Sequence, residues 1–313
     1  MRRTLALALF FFLAAFAALA AQHGAWRLTE REDGRLQIDL VSDHNQNSNG
    51  IERNAFTGLT AAQIGASSET PVDFRLVRDA GTLHFTGSFA HGEGVGRFTF
   101  EPNGAYASTL RGLGVAASDL DDDRLYALAL HDVSASFIQE MQSLGYREDL
   151  DKYIAFRIHG ATPQFVRDIN ALGYHPDATQ LVAFRIHGAT ADFIREIRAL
   201  GYQPDELQLV AFRIHGVSPE FVKGMKELGV RDLGQENLVA LRIHGATTDY
   251  VRELRDLGYS NLSATDLVSM RIHGVTTDYI RELRSAGYAN IPVEKLVSMR
   301  IHGIDADFVK KTK

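Results

Sequence analysis

The chain has 313 residues, 45% of them hydrophobic and 23% charged, which is enough to bury a sizeable core and too apolar for wholesale disorder. Its 33 Lys and Arg against 39 Asp and Glu leave a net charge of −6. That balance argues against non-specific nucleic-acid binding, and no DNA-binding motif is present. The absence of cysteine excludes disulfides, thiolate metal sites, a Cys nucleophile and a lipidated Cys.

At the start of the chain, Arg2 and Arg3 precede an unbroken apolar run from Leu5 to Ala21, in which Ala18 and Ala20 have the small-x-small spacing of a cleavage site. This predicts a cleaved signal peptide over 1–21, cut near Ala20 and Ala21, and a periplasmic or secreted protein. The alternative is an uncleaved membrane anchor, and membrane contact is expected only in that case. The arginine pair lacks the flanking residues of a twin-Arg signal and reads as the positive start of the leader.

Residues 22–101 alternate with period two. In "RLQIDLV" Leu36, Ile38 and Leu40 share one side and Arg35, Gln37 and Asp39 the other. The pattern returns in "VDFRLVR", "GTLHFTGSF" and "GVGRFTFEP", predicting a small antiparallel β-rich domain of about four to six strands. The run "DHNQNSNG" (43–50) has oxygen-bearing residues at alternate positions, but no phase combines the glycine of a calcium loop with the acid at its end, and it is expected to be a polar loop closed by an Asn-Gly turn. The run "HGEGVG" (91–96) joins two strands instead of opening a helix, so it reads as a hairpin turn and not as a phosphate cradle.

From residue 102 to 313 the chain repeats itself. "RIHGATPQFVRDINALGY", "RIHGATADFIREIRALGY", "RIHGVSPEFVKGMKELGV" and "MRIHGVTTDYIRELRSAGY" recur at intervals of 28 and then 29 residues. There are about six to seven copies, the first degenerate ("LALHD") and the last incomplete, ending on "KKTK". Each unit spells two helices. Thr162, Thr190, Ser218, Thr247 and Thr276 are candidate N-caps of the second, and Gly201 ends that helix in its copy. Helices of about ten residues are marginal alone, so the units must stack, giving an α-solenoid and an α+β fold overall. The period is shorter than that of tetratricopeptide, ankyrin or HEAT units.

The motifs "GVTTDYIRELRSAGY" and "LVSMRIHG" resemble a bacterial repeat of secreted, largely uncharacterised proteins, also found in extracytoplasmic tails of membrane metallopeptidases of the β-lactam-sensor type. The resemblance covers about 102–313 and implies an extracytoplasmic binding or sensing module with its ligand left open. It does not carry the protease, because His-Glu-x-x-His is absent.

Three rows of polar residues recur in the repeats. The histidines His159, His187, His215, His244, His273 and His302, with His131 in the degenerate copy, close the first helices, where they can cap carbonyls and face the negative helix end. Packed helix axes lie about 8–10 Å apart, too far for neighbouring imidazoles to share one metal, so no metal site is expected. Arg157, Arg185, Arg213, Arg242, Arg271 and Arg300 lie two residues earlier. A helical wheel of the first helix puts Arg185 within an apolar arc that includes Leu181, Val182, Phe184 and Ile186, so each arginine needs a partner. The acids nine residues after the histidines, Asp168, Glu196, Glu253 and Glu282 with Glu140 in the first copy, are the expected partners across helices. Gly224 breaks that pattern.

The third row, on the second helices, comprises Arg167, Arg195, Lys223, Arg252, Arg281 and Lys310, extended by Arg198, Lys226, Arg255 and Arg284. It makes a cationic stripe able to hold a protein partner or an anionic envelope component, or else a solvated face relieved by neighbouring acids. No catalytic residue and no cofactor site is expected: Gly-x-Ser-x-Gly, Walker-type and zinc-protease motifs are absent. The expectation is a non-enzymatic exported bacterial protein whose repeats form a protein-interaction or ligand-sensing module. The alternatives are an envelope-associated hydrolase without a recognisable motif, or a histidine-based metal-binding protein.

Overall fold

The computed structural model describes residues 22–42, 46–116, 120–305 and 307–308. The leader segment 1–21, Asp43, His44 and Asn45 of the polar run, and Lys310 with the "KKTK" end lie outside the described residues. The fold is α+β: a seven-stranded antiparallel sheet followed by helical repeats.

The strands are β1 (Gln22–Glu30), β2 (Leu36–Ser42), β3 (Gln46–Ile51), β4 (Phe56–Thr57), β5 (Thr70–Arg78), β6 (Gly81–Ala90) and β7 (Glu93–Pro102), with a short helix α1 (Ala61–Ile64) before β5. Their order across the sheet is β3-β2-β1-β7-β6-β5-β4. Alternation does what period two requires: Trp26, Leu28, Leu36, Ile38, Leu40, Phe74, Leu76, Leu83, Phe85, Phe98 and Phe100 are all buried on one face. Trp26 satisfies its indole N–H by donating to the carbonyls of Thr86 and Arg97, at 3.2 and 3.1 Å. It lies over Gly87 and Gly96, where a Cβ would come within 2.9 and 2.8 Å of the ring, so these two strand positions are glycine because an aromatic ring rests on them.

"HGEGVG" opens a tight hairpin in which His91 and Gly92 both have positive φ between Ala90 and Glu93, the last residue pair of β6 and β7, matching a type I′ turn. The polar run differs from its expectation. Its described part, Gln46–Ile51, is the edge strand β3, paired with β2 from Val41↔Gln46 to Leu36↔Ile51. Ser48 takes a hydrogen bond from Gln37 and gives one to Asp39, so this strand is carried by main-chain pairing and a polar ladder, and no apolar alternation marks it.

The sheet ends at Pro102 and the helices begin at Tyr106, yet the chain divides into compact units at Arg157 and Ile158. The first unit therefore includes α2 (Tyr106–Gly112), α3 (Asp122–Leu130), α4 (Ala135–Ser143) and most of α5 (Leu150–His159). Tyr126 of α3 stacks on Phe98 at 6.1 Å and meets Phe100 edge-on at 5.4 Å, and burial pushes its hydroxyl up to about 12.

The degenerate first copy has a local reason. Asp132, at φ 54°, stands where the other copies have glycine. It accepts Arg157 Nη2 at 2.6 Å and lies 3.2 Å from Arg78 Nε at the end of β5. The neighbouring Asp79 accepts the backbone N–H of Ala135, the first residue of α4, at 2.8 Å. An acid at the motif's glycine position thus fastens the first repeat to the sheet. Beside it, burial, and then the charge of Arg157, lowers the pKa of His131.

The second unit contains α6 (Pro163–Asn170), α7 (Ala178–His187), α8 (Ala191–Ala199), α9 (Glu206–His215), α10 (Pro219–Glu227), α11 (Gln235–Ile243), α12 (Thr248–Asp256), α13 (Ala264–Ile272), α14 (Thr277–Ser285) and α15 (Val293–Ile301). Helices α7, α9, α11, α13 and α15 stack side by side as one layer, and α8, α10, α12 and α14 as the other. The expected caps are formed: Thr162, Thr190, Ser218, Thr247 and Thr276 each accept the N–H three residues on, at 3.1–3.3 Å. Leu181, Phe184, Phe193, Ile194 and Ile197 show the pattern of the core, all buried between the layers.

The change of period is also visible. Within the second unit, copies spaced by 28 residues turn through Pro176 or Pro204, whereas those spaced by 29 insert a residue with positive φ, Asp232, Asn261 or Asn290. Such residues tolerate this conformation better than other non-glycine types.

Candidate interaction surfaces of the repeat array

The four residues Arg-Ile-His-Gly hold the surface chemistry of each repeat, and three of them are accounted for inside the stack. The glycine closes the first helix in the left-handed region, φ 74° at Gly188 and 72° at Gly216, which L side chains rarely adopt. The arginine of the next copy lies against it: a Cβ at Gly188 or Gly216 would come within 3.1 or 2.8 Å of the guanidinium of Arg213 or Arg242.

That arginine reaches back one repeat. Nε of Arg185, Arg213, Arg242 and Arg271 donates to the carbonyl of His159, His187, His215 and His244, at 3.0–3.3 Å. Arg157 does the same to His131 at 3.0 Å. The guanidinium also lies over the aromatic ring that opens the preceding second helix: Arg185 on Phe165, Arg213 on Phe193, Arg242 on Phe221, Arg271 on Tyr250 and Arg300 on Tyr279, at 4.8–5.0 Å. Each of these hydrogen bonds satisfies one carbonyl left open at a helix end, and each stacking contact adds a cation–π interaction.

The expected acid partners are thus replaced by carbonyls and rings, with Asp132 the carboxylate that does meet this row, at Arg157. The acid position looks elsewhere. Glu253 accepts the hydroxyl of Thr277 at 2.6 Å and Arg281 at 2.9 Å. These hydrogen bonds, that of Thr277 first, lower its pKa. Gly224, the exception in that row, stands beside Thr248, whose methyl would be 2.8 Å from an added Cβ. It is small because the next helix begins there.

The histidine contributes its main-chain carbonyl to this ladder, while the rings of His159, His244, His273 and His302 are exposed and those of His187 and His215 half-buried. His302 Nδ1 sits 2.7 Å from the carbonyl of Ser298, a C-terminal cap of the expected kind. Among the described residues no group of three or more His, Asp or Glu could hold a metal ion, and no helix is long and apolar enough to cross a membrane.

The isoleucine is the residue that the stack does not use. The wheel placed Ile186 in the apolar arc, and the structure corrects its fate: Ile158, Ile186, Ile214, Ile243, Ile272 and Ile301 are 53–58% exposed. The arc is wider than the buried stripe, so it spans both the core side and an outward side of the helix. On that outward side the same positions carry Val182, Val210, Val239, Val268 and Val297, and Ala183, Ala211, Ala240, Ser269 and Ser298, all half-buried. Leu207 adds 67% exposure at the start of α9. Between α9 and α11 this face opens into a cleft of about 300 Å³ lined by Gln208, Ala211, Phe212, Gln235, Glu236 and Val239. An apolar row continued over successive helices is a contiguous patch, unlike scattered exposed residues.

The outward face of the other layer is charged and internally engaged. Arg195 pairs with Asp192 and Arg252 with Asp249, Arg281 lies 2.6 Å from Asp278, and Lys223 is 3.9 Å from Glu227. Arg198 lies over the ring of Tyr174 and Lys226 over that of Tyr202, at 4.7 and 4.8 Å. Lys226 and Arg284 donate to the carbonyls of Leu200 and Leu257, both at 2.6 Å. Arg167 is engaged as well. Arg255 is exposed, and Val230 stands where the tyrosine ring would be in other copies. Comparison with protein families, curated proteins and solved structures finds no match to this chain.

Proposed function

We propose that the protein is a non-enzymatic, exported bacterial interaction module that recognises a protein partner through the isoleucine face of its first helices. The observation that carries this is the row Ile158 to Ile301, held at nearly constant exposure in six successive copies while the arginine, the glycine and the histidine carbonyl around it are spent on the stack. Exposed apolar surface continued over several elements is what protein partners cover. The leader-like start, Arg2 and Arg3 followed by Leu5–Ala21, supports export to the periplasm or beyond. The resemblance of the repeats to extracytoplasmic sensing modules points the same way.

The cationic row enters this reading as a secondary contact for an anionic envelope component. Its described members are exposed, but their neighbouring acids and carbonyls already absorb much of their charge.

The test uses immobilised protein with the double variants Ile214→Glu/Ile243→Glu and Arg252→Glu/Arg281→Glu, and envelope extract at low and high salt. Partner retention that survives high salt, persists in the arginine variant and is lost in the isoleucine variant is expected. Retention by the isoleucine variant equal to wild type would remove the apolar face as the site, and salt-sensitive retention lost in the arginine variant would move it to the cationic row.

A further inference from the structure

The isoleucine face has a built-in polarity. Because α7, α9, α11, α13 and α15 are successive copies of one unit, their N-terminal ends line one edge and their C-terminal ends the other. The first edge is acidic in balance, with Asp177, Asp205, Glu206, Glu236 and Glu294 against Lys295, and the second carries the ladder arginines Arg185 to Arg300 with the histidines. The middle of the face, the valine and alanine or serine positions, holds no charge.

We infer that this face seats a second copy of the same chain, the two arrays meeting face to face about a two-fold axis parallel to the direction of stacking. The inference rests on the reading of the face as a recognition surface and names its partner. Three observations carry it. A rotation about that axis lays the acidic edge of each copy along the cationic edge of the other, whereas a rotation about an axis parallel to the helices would set like against like; charge therefore selects one of the two arrangements. Spacing is the second: contact with every isoleucine requires an object that repeats at the stacking distance of about 8–10 Å, and a second copy has that spacing by construction. Size is the third: the isoleucine, valine and alanine or serine positions, with the exposed position seven residues before each isoleucine (Leu207, Glu236 and Glu294 among them), give about 20 residues a side over five helices, within reach of the ~20–30 of a standard interface.

The same rotation carries the isoleucine end of one copy over the N-terminal half of the other, where the cleft between α9 and α11 lies. An isoleucine such as Ile214 or Ile243 enters that cleft, and Leu207 returns the contact over the partner's isoleucine row.

Sedimentation of the purified exported protein from about 1 to 100 μM tests this, with the far-UV circular dichroism spectrum as the folding control for each variant, because loss of a dimer by itself lowers the melting temperature. A dimer is expected for wild type. Ile214→Glu/Ile243→Glu should weaken it at least tenfold, and so should Glu236→Lys/Glu294→Lys, which sets cation against cation. A wild-type monomer throughout this range overturns the proposal. If that monomer still retains another protein through the isoleucines, the recognition reading survives and self-pairing alone fails. If the isoleucine variant dimerises like wild type, the face itself is wrong. A dimer strengthened by the acidic-edge reversal would overturn the proposed axis.

Discussion

Each repeat shows solvent two surfaces built on opposite principles. The second helices present arginines and lysines in abundance, and those charges are tied to acids three residues away, to rings, or to carbonyls of the preceding copy. The first helices present fewer polar groups and a row of isoleucines that touches nothing comparable. A crowded charge pattern is therefore the poorer guide to a binding surface here, and a single unexplained apolar letter the better one. Charges find intramolecular partners readily because i,i+3 and i,i+4 neighbours are always at hand. An exposed β-branched side chain has no such outlet, and in the last turn of a helix it is not favoured by propensity either.

The contrast can be broken most forcefully where both layers meet. Gly216→Val imposes a left-handed backbone on a β-branched residue and drives its Cβ toward Arg242. It should cost about 2–3 kcal/mol in urea unfolding. Arg242→Ala removes the cap on the His215 carbonyl and the stacking on Phe221, for an expected loss of about 1–2 kcal/mol. Lysine at this position should restore only part of it, because the ammonium lacks the planar fork.

Smaller effects sharpen the difference between the faces. The pKa of Glu253 is depressed in the fold by Thr277 and then Arg281, so its contribution is present above the unfolded carboxylate value and is lost as pH falls through the folded one. The melting temperatures of wild type and Thr277→Val should accordingly differ at pH 7 and draw together as acidification carries the pH through the depressed pKa of Glu253. Arg252→Ala, which removes an exposed pair with Asp249, should change stability by at most about 0.5 kcal/mol. Ile214→Glu should leave the melting temperature, taken at a concentration where wild type is monomeric, nearest to wild type, since the residue is 53% exposed, while weakening capture of the partner. A large loss of stability in that variant would show that the isoleucine is packed after all.

What could be read from the amino acids follows from how local each cause is. The caps at Thr190 and Thr247 act on an N–H three residues away, so a short string of letters carries them. The isoleucine face was hidden because a helical wheel registers apolarity and not what covers it, and Ile186 shares its arc with the buried Leu181 and Phe184. The arginine row was legible as needing a partner, but the partner is a main-chain carbonyl, which every residue owns and no motif announces. The edge strand Gln46–Ile51 escaped because pairing with β2, not side-chain alternation, holds it. The early helices look like part of the array in the chain, yet Asp132, Arg78 and Tyr126 bind them into the compact unit of the sheet.

The backward reach of the arginines makes the array directional in time as well as in space. The carbonyl of His187 waits for Arg213, which lies 26 residues further on. On a ribosome each helix end is thus left open until almost one whole further repeat has been made, and the newest unit completes the one before it. The same dependence lets the array lose or gain a unit at its C-terminal end while disturbing only the last finished joint, so a gene encoding it could change length in whole repeats without rewriting the copies already present.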